Sequence, residues 1–263
     1  MAKMNDKLSI TLDKSEPNLE NNKSDAIVRI GGVVLGNIPI VGSILTEVFK
    51  EIIPNQREER VRIFIEILGD KLKYLEEDVL NSKMKSEEFI DLLEDALPQA
   101  ARAMNKDRQN YIASLLKNSL NDEQLEHIEK KKLLQLLNEL NDAEILLLHF
   151  ISLESSSTDQ TKKIEFAEKH LYLFDDYNER SNDVSLRDKS HMRKCYMSKL
   201  EEVGLASKGT PETPISAPWF SRTTSSISKD YNKITLITQG NLIITPLGML
   251  FLRNIDLIEK EES

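Results

Sequence analysis

Residues 241–252 read "NLIITPLGMLFL", and the change of period inside that stretch decides how the chain is organised. Leu242, Ile243 and Ile244 form an apolar run rich in β-branched side chains, which suit a strand. Thr245 followed by Pro246 then opens a helix. The hydroxyl is a capping acceptor, and proline at the first helical position loses no hydrogen bond because its N–H would be an orphan there. The helix so opened runs through "PLGMLFLRNIDLIEK" (246–260), and Gly248 in its first turn lets it pass close to a neighbour. Just upstream, "KITLIT" (233–238) is a second β-branched run, and "QGN" (239–241) between the two is a turn, so a small β-hairpin is expected.

Working back from the hairpin, residues 207–230 are rich in Pro, Ser and Thr and read as an irregular excursion. Before them, "SLRDKSHMRKCYMSKLEEVGL" (185–205) is a helix with Met192, Cys195, Tyr196 and Leu200 inward and Gly204 as its C-terminal cap. A further helix spans about 162–174. "NDAEILLLHFISLE" (141–154) is a strongly apolar one, with Asp142 as its N-cap. Three helices followed by a two-stranded hairpin resemble a winged helix, here over residues 142–256 with residues 209–232 as an enlarged wing.

Between a mobile tail over residues 1–24 and residue 141 the chain reads as helical. After Pro54, the positions Val61, Phe64, Ile65, Leu68, Leu72, Leu75 and Val79 recur three and four apart, which predicts one long amphipathic helix. Ser86 caps a second helix with the stripe Phe89, Leu92, Leu93, Ala96 and Leu97, whose end Pro98 should disturb. Asn105 caps a third with Ile112, Leu115 and Leu116. Asp122 caps a fourth with Leu125, Ile128, Leu133, Leu136, Leu137 and Leu140. Narrow stripes joined by short connections predict helices packed side by side. The fold class is therefore mainly α: a tail over residues 1–24, a helical bundle over 25–140, and a winged-helix-like α+β unit over 141–263.

One segment of that bundle is anomalous. "RIGGVVLGNIPIVGSILTEVFKEIIPNQREER" (29–60) is mostly apolar from Ile30 to Phe49, close to the length that crosses a bilayer. Yet Asn37, Ile38 and Pro39 stand at its centre, where a broken helix would leave backbone groups unsatisfied in lipid, and Glu47 is a further cost. The reading is a helical hairpin rather than a fixed anchor: hidden in the bundle, or released onto a membrane through Ile30, Val33, Val34, Leu35, Ile38, Ile40, Val41, Ile44 and Leu45.

Charge is unevenly spread. From Ser185 to Ile255 ten basic residues stand against five acidic ones, while the whole chain carries −9, so the remainder carries −14. That argues against a surface that binds nucleic acid everywhere. It leaves Arg187, Lys189, Arg193 and Lys194 as candidate contacts to duplex DNA or a protein partner, with Trp219 as a candidate partner anchor. Signals for catalysis are missing: His127, His149, His170 and His191 are far apart in sequence, and neither a nucleophile elbow nor a phosphate-cradling glycine loop is present. No catalytic residue, metal ligand or cofactor is assigned. Cys195, the single cysteine, allows no internal disulfide and suits a reducing cytoplasm.

The order of features resembles the bacterial abortive-infection alpha proteins. An apolar segment broken by Gly and Pro is followed by "PNQREERVRIF" (54–64), "DRQNYIASLLKNSL" (107–120), "LNDAEILLLHF" (140–150) and the closing "LEEVGL…LIITPLGMLFL". That family carries a tryptophan-containing "WANLLANA"-like helix where this chain has Tyr111, Ile112, Ala113, Ser114, Leu115 and Leu116. The resemblance implies a non-enzymatic, toxin-like effector of bacterial defence against phage, cytoplasmic and membrane-associated when active. Its partners would be lipid on activation and a protein, another chain or itself. A DNA-binding regulator and a protein–protein adaptor are the alternatives.

Overall fold

The structure is a computed structural model that describes residues 57–73, 75, 82–84, 86–155, 160–174, 182–209 and 242–259. The described chain is mainly helical with one small antiparallel sheet. In order it forms α1 (Glu58–Leu72), α2 (Glu87–Arg102), α3 (Lys106–Asn121), α4 (His127–Glu139), α5 (Asp142–Ser155), α6 (Gln160–Lys169), α7 (Leu171–Phe174), α8 (Val184–Glu202), β1 (Ala206–Lys208), β2 (Leu242–Ile244) and α9 (Pro246–Asn254).

The stripes predicted for the first helices face inward. Val61, Phe64, Ile65, Leu68 and Leu72 of α1 are buried, as are Phe89, Leu92, Leu93, Ala96 and Leu97 of α2. Ser86 and Asn105 cap α2 and α3 through side-chain oxygens that accept from the N–H groups of Phe89 (3.2 Å) and Arg108 (2.7 Å). Pro98 does not end α2. The helix loses one backbone donor and still continues to Arg102, because Ala100 and Ala101 beyond the proline are themselves buried. α1 closes earlier than its stripe suggests: Leu75 lies past the helix, its N–H turned back onto the Leu72 carbonyl at 3.0 Å.

α3 is the central element, packing against α1, α2, α4 and α9. It is buried on most sides, so polar Gln109, Ser114, Asn118 and Ser119 are inside with Ile112, Leu115 and Leu116. Each needs a partner there. Gln109 donates to the Arg60 carbonyl (2.8 Å) and Ser119 to the Leu116 carbonyl (2.7 Å).

Two caps differ from the sequence reading. Asp122 does not open α4; its carboxylate accepts from Gln124 and Leu125 N–H at 3.0 and 3.3 Å, a local turn that competes with capping. α4 starts at His127 instead, with Glu129 reaching back to the Glu126 N–H at 2.8 Å. Ile128, in the first turn, is then 77% exposed rather than part of the stripe. For α5 the cap is Asn141, one residue before the expected Asp142. Asn141 Oδ1 accepts from Glu144 N–H (2.9 Å) and Glu144 accepts from Asn141 N–H (2.8 Å), a reciprocal capping box.

α5 is apolar on most faces because it has neighbours on most faces: α6, α8, β2 and α9. The helix expected over 162–174 breaks at His170 into α6 and α7. α8 ends in a Schellman turn. Leu205 N–H returns to Leu200 O (3.0 Å), Gly204 N–H to Glu201 O (3.1 Å), and Gly204 takes φ +76°. β1 then pairs antiparallel with β2 in the register Ala206↔Ile244, Ser207↔Ile243 and Lys208↔Leu242. The hairpin expected between "KITLIT" and "NLIIT" involves residues 233–241, which lie outside the described residues.

Thr245 ties the two ends of this unit together. Its hydroxyl accepts from Gly248 N–H (3.0 Å) and donates to Gly204 O (2.7 Å), so the cap of α9 also holds the end of α8. A Cβ on Gly248 would lie 2.2 Å from the Leu205 carbonyl oxygen, so only glycine lets α9 leave the strand this close to the α8 turn. Buried residues from Val61 to Ile255 form one hydrophobic cluster, with α3 and α9 in contact across the position where the sequence changes character.

Candidate functional site: the α8 face and the groove beside Asp256

The sequence-selected residues separate once placed. Ile30, Val33, Val34, Leu35, Ile38, Ile40, Val41, Ile44 and Leu45 lie outside the described residues, as does Trp219. Arg187, Lys189 and Lys194 are exposed on α8, whereas Arg193 is only 6% exposed and faces the core side of the helix. The inward face is Ser190, Arg193 and Leu200, with Leu186 and Met197 half-buried beside them. Met192 and Cys195, expected inward, are exposed, Met192 at 50%.

The cause is a helix with two plausible apolar phases that share Leu200. α8 packs against α5 and β1, and the phase it turns away from solvent is the one through Ser190, Arg193, Met197 and Leu200. At 3.6 residues per turn, Lys189 stands about 160° around the axis from Arg187, so it does not line up with Arg187 and Lys194. Arg187, His191 and Lys194 share a side with Asp188 and Glu202, and Lys199 is committed to Glu139 and Glu202 at 3.9 and 3.6 Å. The exposed face of α8 is of mixed charge.

A second place gathers charge more tightly. Beyond α9, Asp256 N–H returns to Arg253 O (3.2 Å) and Leu257 N–H to Leu252 O (3.0 Å), the same Schellman turn as at Gly204. The left-handed position, φ +57°, is held here by an aspartate. Its carboxylate accepts from Asn118 Nδ2 at 2.8 Å, and that amide also donates to Asn254 O at 2.9 Å. Lys71 of α1 and Lys117 of α3 approach the other oxygen at 3.5 and 3.4 Å. Burial by itself would raise the Asp256 pKa. The Asn118 amide and the Ser114 hydroxyl, with Lys117 and Lys71, overcome that and hold it below the usual carboxylate range.

Two shallow cavities, one of them lined by Asp256, share Lys117 and Asn121. One, of about 430 Å³, is lined by Asn118, Asp256, Leu257 and Ile258; the other, of about 580 Å³, by Ile67, Lys71, Leu75 and Asn110. Together they make a groove that runs from the end of α1 over α3 to the residues after α9. Sequence reading passed over this cluster, because its members are 71, 117–118 and 256 and nothing local joins them.

Histidines separated in sequence also meet. His149 of α5 and His170, between α6 and α7, flank the Phe166 ring with centroid distances of 5.0 and 4.6 Å. Burial, helped by the neighbouring His170, pushes the His149 pKa down to about 4, so this ring is neutral near pH 7 and packs as an aromatic. Among the described residues no group of three or more His, Cys, Asp or Glu side chains could hold a metal ion, and no helix is long and apolar enough to cross a membrane.

No family model, curated protein or solved structure matches the chain.

Proposed function

We propose that this is a non-enzymatic bacterial defence effector of the abortive-infection type, in which the apolar segment around residues 30–49 engages a membrane when the C-terminal unit senses a partner. The observation that carries the reading is the combination of that Gly- and Pro-broken apolar segment with a helical body that closes one continuous core from Val61 to Ile255. The segment joins that body immediately before α1. Its broken centre fits an element that inserts on demand better than one that spans permanently. A winged-helix-like reading of the C-terminal unit is supported by the order α5, α6, α8, β1, β2 and by the long connection over residues 209–241. The protein would be cytoplasmic at rest and lipid-associated when active.

Liposome flotation with dye release tests this on the full chain and on the double variant Val34→Glu, Ile44→Glu. Flotation and leakage by the parent, lost in the variant while helical content and melting temperature hold, is the expected result. If parent and variant both stay in the aqueous fraction under every lipid composition tried, the membrane reading fails.

The exposure of Arg187, Lys189 and Lys194 favours a second reading, duplex-DNA binding through α8, while the burial of Arg193 and the acidic neighbours Asp188 and Glu202 weaken it. Retention of a DNA duplex that weakens steeply with salt would favour the regulator over the effector. An adaptor that works by self-association predicts a dimer in light scattering.

A further inference from the structure

We infer that the cavity between the end of α2, the start of α3 and the α4–α5 turn is a binding site for a small organic monocarboxylate, held against Arg108 and Arg102. The site is independent of the membrane reading above.

Two turns of the chain lie side by side here. Ala103 closes α2 with its N–H on Gln99 O (3.0 Å), Asn105 opens α3, and Leu140 and Asn141 join α4 to α5. Arg108, in the first turn of α3, ties the two together. Its Nη2 donates to the Leu140 carbonyl, and its Nε approaches Asp142 Oδ1 at 3.4 Å. Asn105 Nδ2 donates to the other oxygen of Asp142 at 2.6 Å.

Nη1 of Arg108 is buried and has no hydrogen-bond partner. The guanidinium is therefore answered by one carbonyl and by one carboxylate that it shares with Asn105. Burial outweighs Asp142 and holds the Arg108 pKa below the ordinary arginine value, yet a guanidinium stays charged near pH 7. Buried positive charge with so few partners favours an anion beside it.

A cavity of about 290 Å³ opens at that place. Arg102, Arg108, Asn138 and Asn141 give it donors, and Ile112 and Met104 give it an apolar wall. Arg102 is exposed and forms no ion pair among the described residues. Ile112 is 1% exposed and Met104 83%, so the apolar wall runs from the core to the surface.

Charge selects the guest. Two arginines against Asp142 leave the lining at +1, in a chain that carries −9. One carboxylate neutralises that surplus. A phosphate dianion would overshoot it and set negative charge close to Asp142. Planar guanidinium groups also match the two oxygens of a carboxylate. Ligand pockets run from roughly 300 to 1,000 Å³, so this cavity suits a small acid whose hydrocarbon part rests on Ile112 and Met104.

Chemical-shift titration of the isotope-labelled full chain tests the site. The probes are acetate, isobutyrate and benzoate, the neutral amide of each, and inorganic phosphate. Saturable movement of the Ala103, Met104, Asn138 and Asn141 backbone amides is expected with the acids and not with their amides. Isobutyrate and benzoate should bind more tightly than acetate, and phosphate more weakly than either. Arg108 also holds the Leu140 carbonyl, so its loss can disturb the fold; exposed Arg102 is the residue to change. Arg102→Gln should raise the Kd for benzoate at least about tenfold while the melting temperature holds.

The absence of saturable movement with all three acids up to about 10 mM overturns the site. Equal binding of acids and amides, or an unchanged Kd in Arg102→Gln, overturns the role of charge. Phosphate binding more tightly than benzoate overturns the choice of a monocarboxylate.

Discussion

Two helix ends in this protein carry the same turn and solve it differently. After α8 the left-handed residue is Gly204, and a Cβ built there would meet nothing within 4 Å. After α9 it is Asp256, set among Asn118, Lys71 and Lys117. The first is a local solution: the chain needs a left-handed residue, and glycine supplies it at least steric cost. The second is a tertiary one, in which an unfavourable local choice is kept because its side chain reaches two helices distant in sequence. A helix end occupied by the expected residue reports on the helix, whereas one occupied by an unexpected residue reports on what surrounds it.

The comparison is sharpest at the α8–α9 junction, where Gly248 is required for space rather than for φ. Gly248→Ala drives a methyl into the Leu205 carbonyl oxygen and against Ile244, both nearer than 3.0 Å. Urea unfolding should show a loss of about 3 kcal/mol, at the upper end of overpacking costs. A loss under about 0.5 kcal/mol would mean that α9 does not pass this close.

Thr245→Val keeps the shape and removes both the cap of α9 and the hydroxyl's bond to Gly204 O. It should cost about 1–2 kcal/mol. Gly204→Ala introduces no clash and only the left-handed penalty, about 1 kcal/mol. If Gly204→Ala cost more than Gly248→Ala, the assignment of one glycine to conformation and the other to space would be reversed.

The two turns also differ in pH response. Because the folded pKa of Asp256 lies below its unfolded value, its contribution is present above the unfolded pKa, near 3.9, and fades as pH falls through the folded value. Gly204 has no such dependence. His149 acts in a higher window with a different sign of charge. It is held neutral by burial with a folded pKa of about 4, against about 6.5 unfolded. The unfolded chain therefore binds more protons between those values, and stability falls as pH drops from about 6.5 to 4. Melting temperatures from pH 7 to 3 should fall less in His149→Phe above pH 4, and less in Asp256→Asn below it. Curves parallel to the parent for either variant would remove that residue from the acid response.

Much of the helical layout was legible locally. Ser86, Asn105 and Thr245 are capping oxygens placed ahead of periodic apolar runs, and each makes the bond its position predicts. Where two local signals compete, as Asp122 with Glu126 or Asp142 with Asn141, the nearer turn or the reciprocal box prevails. The candidate α8 face was legible only in part, since a sequence with two apolar phases does not say which one a neighbour will cover.

By itself the sequence determined the helix count over residues 86–150, the faces of α1 and α2, the glycine turn after α8 and the Thr-Pro opening of α9. Those features depend on backbone preference and periodicity, which act within a few residues. Only the tertiary structure decided that Arg193 is buried and Cys195 exposed, that His149 and His170 share Phe166, and that Asp256 sits against Lys71 and Asn118. Contacts between positions more than 100 residues apart come from packing around α3, and spacing along the chain carries no record of which surfaces meet there.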